Sequence, residues 1–139
     1  MEDLNILTKE EVINQGVHFS ELWDEYGSDR LLDRPEEDGG QPFTGIAYES
    51  DQDGNLIYYC YYEDGFSQGA YVEFYEDGNV KSIQNMKRGR THGSEKIWRK
   101  DGALQLEAIY EYGICVYVRE WDEKGMLCLL YTSDAADEL

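Results

Sequence analysis

Gly69-Ala-Tyr-Val-Glu-Phe-Tyr-Glu-Asp-Gly78 is one instance of a pattern written three times between Gly45 and Leu127 and begun a fourth, and its reading decides the fold. Gly45, Gly69 and Gly93 recur at a spacing of 24 residues, as do Gly54, Gly78 and Gly102, and again Gly65, Gly89 and Gly113. The fourth copy starts near Val116, keeps Trp121 and Gly125, and is one residue short. A period of this size marks a repeat architecture, in which each unit is one supersecondary element unable to bury its apolar face alone. Function is therefore expected in a repeated surface.

Four of these glycines follow aspartate, at Asp53-Gly54, Asp64-Gly65, Asp77-Gly78 and Asp101-Gly102. Asp-Gly between apolar-alternating runs is a strong hairpin signal, because glycine accepts the positive φ the turn requires. The intervening segments, Leu56 to Tyr62 and Ala70 to Tyr75, have the β-branched and aromatic content of strands and are too short for a helical period to compete. Two strands per unit predict an all-β meander of about seven antiparallel strands.

Aligned by unit, Leu56, Val80, Leu104 and Leu127 share a parity with Tyr62, Met86 and Tyr110, which places all seven on one expected buried face. Ser50, Phe74, Trp98 and Trp121 form a second column, an aromatic ladder whose expected role is cross-strand packing. The reverse parity holds Tyr59, Tyr61, Tyr71 and Tyr75, read as exposed aromatics; with Glu73 and Glu76 they are the candidate partner-binding residues.

Outside the repeats, residues 1–44 carry twelve acids against Lys9, Arg30 and Arg34, half of the chain's net charge of −18. Thr8-Lys-Glu-Glu11 fits a capping box for one short helix, which Gly16 ends early. Phe19, Leu22 and Trp23 are spaced to pack on the repeats, and Asp33 to Gly40 reads as a loop. Such acidity repels nucleic acid and anionic lipid; it either attracts a basic partner and speeds its arrival, an effect that weakens with salt, or serves only to keep a solitary protein soluble. Against this trend, Lys81 to Lys100 holds seven basic residues and one acid, Glu95, a run read chiefly as solvated strand and loop and otherwise as a complement to acids.

Cys60, Cys115 and Cys128 form no CxxC pair, which favours a reducing compartment. The N-terminus shows no signal-peptide pattern and no run reaches membrane-spanning length, so the expected location is cytoplasmic. His18 and His92 have neither metal-ligand spacing nor a neighbouring nucleophile, and the glycines lack the Gly-Lys-Ser/Thr ending of a phosphate loop. Adjacent acids are expected by chance among 30, so a glycosidase pair has no support. The expectation is a non-enzyme without metal or cofactor.

Phe43-Thr-Gly45, Tyr62-Glu-Asp-Gly65, Tyr75-Glu-Asp-Gly78, His92-Gly93, Tyr110-Glu-Tyr-Gly113 and Glu120-Trp-Asp-Glu-Lys-Gly125 closely resemble the bacterial MORN-like repeats of the YwqK-type antitoxins. The resemblance spans Phe43 to Leu127 and implies an open, elongated antiparallel sheet and an immunity role against a partner toxin, with no catalytic residues to transfer. Lys87-Arg-Gly89 departs from the usual aromatic-acid-Gly turn. The expected organisation is an acidic N-terminal segment (1–44), a repeat sheet (45–127) and a tail (128–139). That tail resembles the translation of a sequencing-library adapter and is expected to lie outside the native fold. The functional expectation is neutralisation of a cognate toxin encoded nearby; the alternative is a structural MORN-type module docking proteins or a membrane, and for a membrane the net charge is unfavourable.

Overall fold

The computed structural model describes residues 6–132. Glycines turn the chain in two alternating geometries. At Asp64-Gly65, Arg88-Gly89 and Tyr112-Gly113 both residues have positive φ (52 and 86°, 46 and 83°, 48 and 87°), the mirror-image turn whose twist matches that of antiparallel strands. At the opposite end, longer turns are closed by backbone bonds from Asp51 to Asn55, Tyr75 to Asn79, Arg99 to Ala103 and Asp122 to Met126. Here the carboxylates of Asp51, Asp77, Asp101 and Asp122 accept backbone N–H groups at 2.9 Å. Part of the acidity thus serves the turns.

Between the turns run β4 (Gly45–Ser50), β5 (Leu56–Glu63), β6 (Phe66–Phe74), β7 (Val80–Lys87), β8 (Arg90–Trp98), β9 (Leu104–Glu111), β10 (Ile114–Trp121) and β11 (Leu127–Thr132). Each pairs antiparallel with the next, giving eight meander strands where about seven were expected. The sheet is open. The additional strand is β11, which takes in Cys128 to Thr132 of the expected tail; residues 133–139 fall outside the described residues.

The N-terminal segment closes the first edge. Thr8 and Glu11 form the predicted capping box of α1 (Lys9–Gln15), and β1 (Val17–His18) then pairs parallel to β4. A two-residue ladder, β2 (Trp23–Asp24) with β3 (Leu31–Leu32), follows. The segment therefore wraps the edge. Val12 of α1 packs with Ile46, Leu56, Tyr59, Val72 and Ile83 on one side, here face A. On the other side, face B, Leu31 and Phe43 pack on Ala47, with Val17, Phe19, Leu22 and Tyr62 against them. Trp23 is half exposed and is not part of this packing.

The face assignment made from parity is corrected by one register shift in every longer hairpin, at Glu49/Ser50, Glu73/Phe74, Ile97/Trp98 and Glu120/Trp121. Ile57, Lys81, Gln105 and Cys128 are the extra residues, and a bulge residue reverses the alternation of side chains beyond it. Leu56, Val80, Leu104 and Leu127 consequently pair directly with Ser50, Phe74, Trp98 and Trp121 on face A, whereas Tyr62, Met86 and Tyr110 lie on face B. The leucine column and the aromatic ladder are one layer.

Candidate acidic and aromatic binding face

The four tyrosines expected to share an exposed face do not share one. Tyr59 is fully buried: its ring stacks on Phe74 with centroids 6.0 Å apart, and its hydroxyl accepts the Leu7 N–H at 3.0 Å. It is a core residue, not an exposed anchor. Tyr61 lies beside it, edge-on at 6.1 Å, on face A. Tyr75 follows β6, and its hydroxyl donates to the Trp98 carbonyl at 2.6 Å. Glu76 is exposed in the turn beyond. Only Tyr71 and Glu73 point to face B, where the ladder sets Tyr71 between Cys60 and Gln84, and Glu73 between Tyr58 and Ser82.

On face B the described N-terminal residues pack over β4 and β5, and register extends the face beyond them through Gln84, Glu95, Ile97, Leu106, Ala108, Tyr110, Val118 and Glu120. No lysine or arginine is among the strand residues on this face. Glu73, Glu95 and Glu120 cross it among half-buried apolar and aromatic side chains, with Glu73 fixed by the Ser82 hydroxyl at 3.0 Å. Its aromatic floor starts with Tyr58 and Tyr71, stacked 5.2 Å apart and nearly parallel. Burial pushes both phenols up to about 12, so they remain neutral hydrogen-bond donors at physiological pH. Burial, and more weakly the charge of Glu73, raises the Glu95 carboxyl above its ordinary range, against hydrogen bonds with Tyr110 and Gln84 that pull it down. Sequence parity missed Glu95 and Glu120; their signal was the repeat itself, since Glu95 follows Tyr71 by 24 residues and Glu120 precedes Trp121 as Glu73 precedes Phe74.

The histidines are occupied structurally. His18 Nδ1 caps the turn at Phe19–Glu21 and its Nε2 lies 3.2 Å from Glu49, while His92 Nδ1 accepts the Tyr112 N–H at 3.1 Å. Among the described residues no three His, Cys, Asp or Glu side chains are grouped to hold a metal ion. The chemistry this face offers is recognition: fixed carboxylates for cations, with aromatic and aliphatic surface between them.

Fold and face together define an open β-repeat protein with an acidic and aromatic face. In sequence the chain is 41% identical over 120 residues to the Immunity protein YwqK of Bacillus subtilis (strain 168), an alignment covering 86% of this chain and 78% of that protein. The chain belongs to the YwqK immunity-protein family. No family model matches it. Among solved structures, the accessory secretory protein 1, 2 and 3 complex of Streptococcus pneumoniae aligns with 64% of this chain and 17% of that one, at 18% identity and a TM-score of 0.39, too distant to carry an argument.

Proposed function

We propose that this protein is an immunity protein that neutralises a basic partner toxin by occlusion, holding it against face B without catalysis or cofactor. The observation that carries the reading is the set Glu73, Glu95 and Glu120, spread over two adjacent cross-strand rows of a face whose strands bear no cation, in a chain of net charge −18. The long-range field draws a basic partner in, and the half-buried carboxylates and tyrosines hold it. Because Glu95 resists ionisation when free, a cation docking against it relieves a cost the fold otherwise bears. The three free thiols suit action in the cytoplasm.

The test is co-expression with the product of the neighbouring gene, scored by growth rescue, together with affinity measured at low and physiological salt. The expected result is rescue and binding that weakens as salt rises. Absence of both would reject that partner, and rescue with salt-independent binding would reject the electrostatic mechanism.

A further inference from the structure

Face A changes character along the sheet. Over β4 to β7 its apolar column is packed with α1, while further on the same column continues as Trp98, Leu104 and Trp121 among cations. Lys96 and Arg119 flank Glu107, and the Arg119 guanidinium also lies 5.3 Å from the Trp121 ring centre. Lys81, Arg99 and Lys100 are different. Among the described residues none of the three has a carboxylate within 4.0 Å, in a chain containing 30 acids.

Neutral groups hold them instead. The ammonium groups of Lys81 and Lys100 lie 5.9 and 5.8 Å from the centre of the Tyr75 ring, which its hydroxyl pins to the Trp98 carbonyl. The Arg99 guanidinium donates to the Trp121 carbonyl at 2.7 Å. Aromatic faces and carbonyls position a cation but leave its net charge uncompensated. Beside these groups Asn79, Val80, Trp98, Arg99 and Lys100 line a cleft of about 290 Å³.

We propose that this cleft and its cations form a second docking surface, for an acidic polypeptide segment. Carboxylates of the segment bridge Lys81, Arg99 and Lys100 while an apolar side chain rests on Val80 and Trp98. A peptide fits better than a nucleic-acid strand. Asp101 lines the same cleft and the whole molecule is acidic, so a polyanion with a charge on every unit is repelled where a segment alternating carboxylates with neutral residues is accepted. The surface lies away from face B and does not depend on the immunity reading.

The probe is a fluorescein-labelled peptide that alternates glutamate with serine around a central leucine, titrated by anisotropy against the full chain, beside an oligothymidylate of equal charge and with self-association followed by sedimentation. Binding to the peptide, weakened at least about tenfold by the combined K81Q, R99Q and K100Q changes and untouched by E73Q, is expected. Where the combined variant fails to fold, Lys100→Glu alone, at an exposed position, is expected to weaken binding about threefold or more. Absent peptide binding, equal binding by the folded variants, tighter binding of the oligothymidylate, or self-association lost in the K100E variant would each overturn the proposal.

Discussion

Replacing Tyr59 separates the clasp at the first edge from the face that binds. Its side chain is wholly buried between Phe74 and the segment that leads into α1, and its hydroxyl is the acceptor for the Leu7 N–H. Tyr59→Phe keeps the ring and leaves that part-buried N–H without its partner, a loss of about 1–2 kcal/mol. Tyr59→Ala adds the lost burial and an unfilled cavity, about 3–5 kcal/mol for an aromatic ring. Urea unfolding measures both, and amide hydrogen exchange locates them. The N–H groups of Val12 and Gly16, bonded to the Thr8 and Val12 carbonyls, are expected to exchange faster in both variants, whereas ladder amides of β8 and β9 that stay unchanged relative to global stability mark the effect as local. If Tyr59→Ala costs less than about 1 kcal/mol, or α1 exchange does not move, Tyr59 is not the residue that fastens the N-terminal segment to the sheet.

Gly65→Ala is expected to cost roughly 3 kcal/mol or more, and Gly54→Ala about 1, in urea unfolding: both have positive φ, but a Cβ at Gly65 would lie 2.1 Å from Arg30 Cγ and 2.8 Å from the Leu31 carbonyl, whereas at Gly54 it meets nothing within 4 Å. Glu95→Gln is expected to stabilise the fold at neutral pH. The folded carboxyl titrates above its ordinary value of 4.5, so the stability tied to its protonated form is complete below that pH and lost as pH rises through the folded value; the variant's advantage should therefore appear above about pH 4.5 and vanish below it in pH-dependent unfolding. In thiol labelling of the native protein, exposed Cys128 is expected to react first and buried Cys60, its thiol pushed up to about 12, only on unfolding.

The repeat, its turns and its all-β class were legible because period, Asp-Gly pairs and strand composition agree, and Thr8 and Glu11 announced α1 as a capping box. The assignment of side chains to faces was not. A strand has a period of two, so the single extra residues Ile57, Lys81, Gln105 and Cys128 each reverse everything beyond them, and nothing in the type of those residues marks a bulge. Leu104 was thereby parted from Tyr110, whereas Tyr59 and Tyr71 fall on opposite faces because the two-residue turn at Asp64-Gly65 pairs odd with even positions, Tyr59 with Val72. The route of residues 17–44 along the edge of β4 and onto face B was equally hidden, since it depends on long-range packing of Val17, Phe19, Leu22 and Leu31 that no local pattern encodes. Lys87-Arg-Gly89, a departure at the level of motif, is no departure in structure: Arg88 adopts the same positive φ as Asp64 and Tyr112.

Glu95 is the residue on which stability and function are expected to pull apart, because burial makes its charge unfavourable in the free protein and a basic partner makes it favourable in the complex. The most direct measurement of the central claim is the affinity of the partner toxin for the chain carrying Glu73→Gln, Glu95→Gln and Glu120→Gln together, compared with wild type and with the K100E variant on the other surface. The account predicts a folded protein whose affinity falls at least about a hundredfold and loses most of its salt dependence, with growth rescue abolished. Wild-type affinity and full rescue by that folded triple variant would contradict it and remove face B as the site of neutralisation.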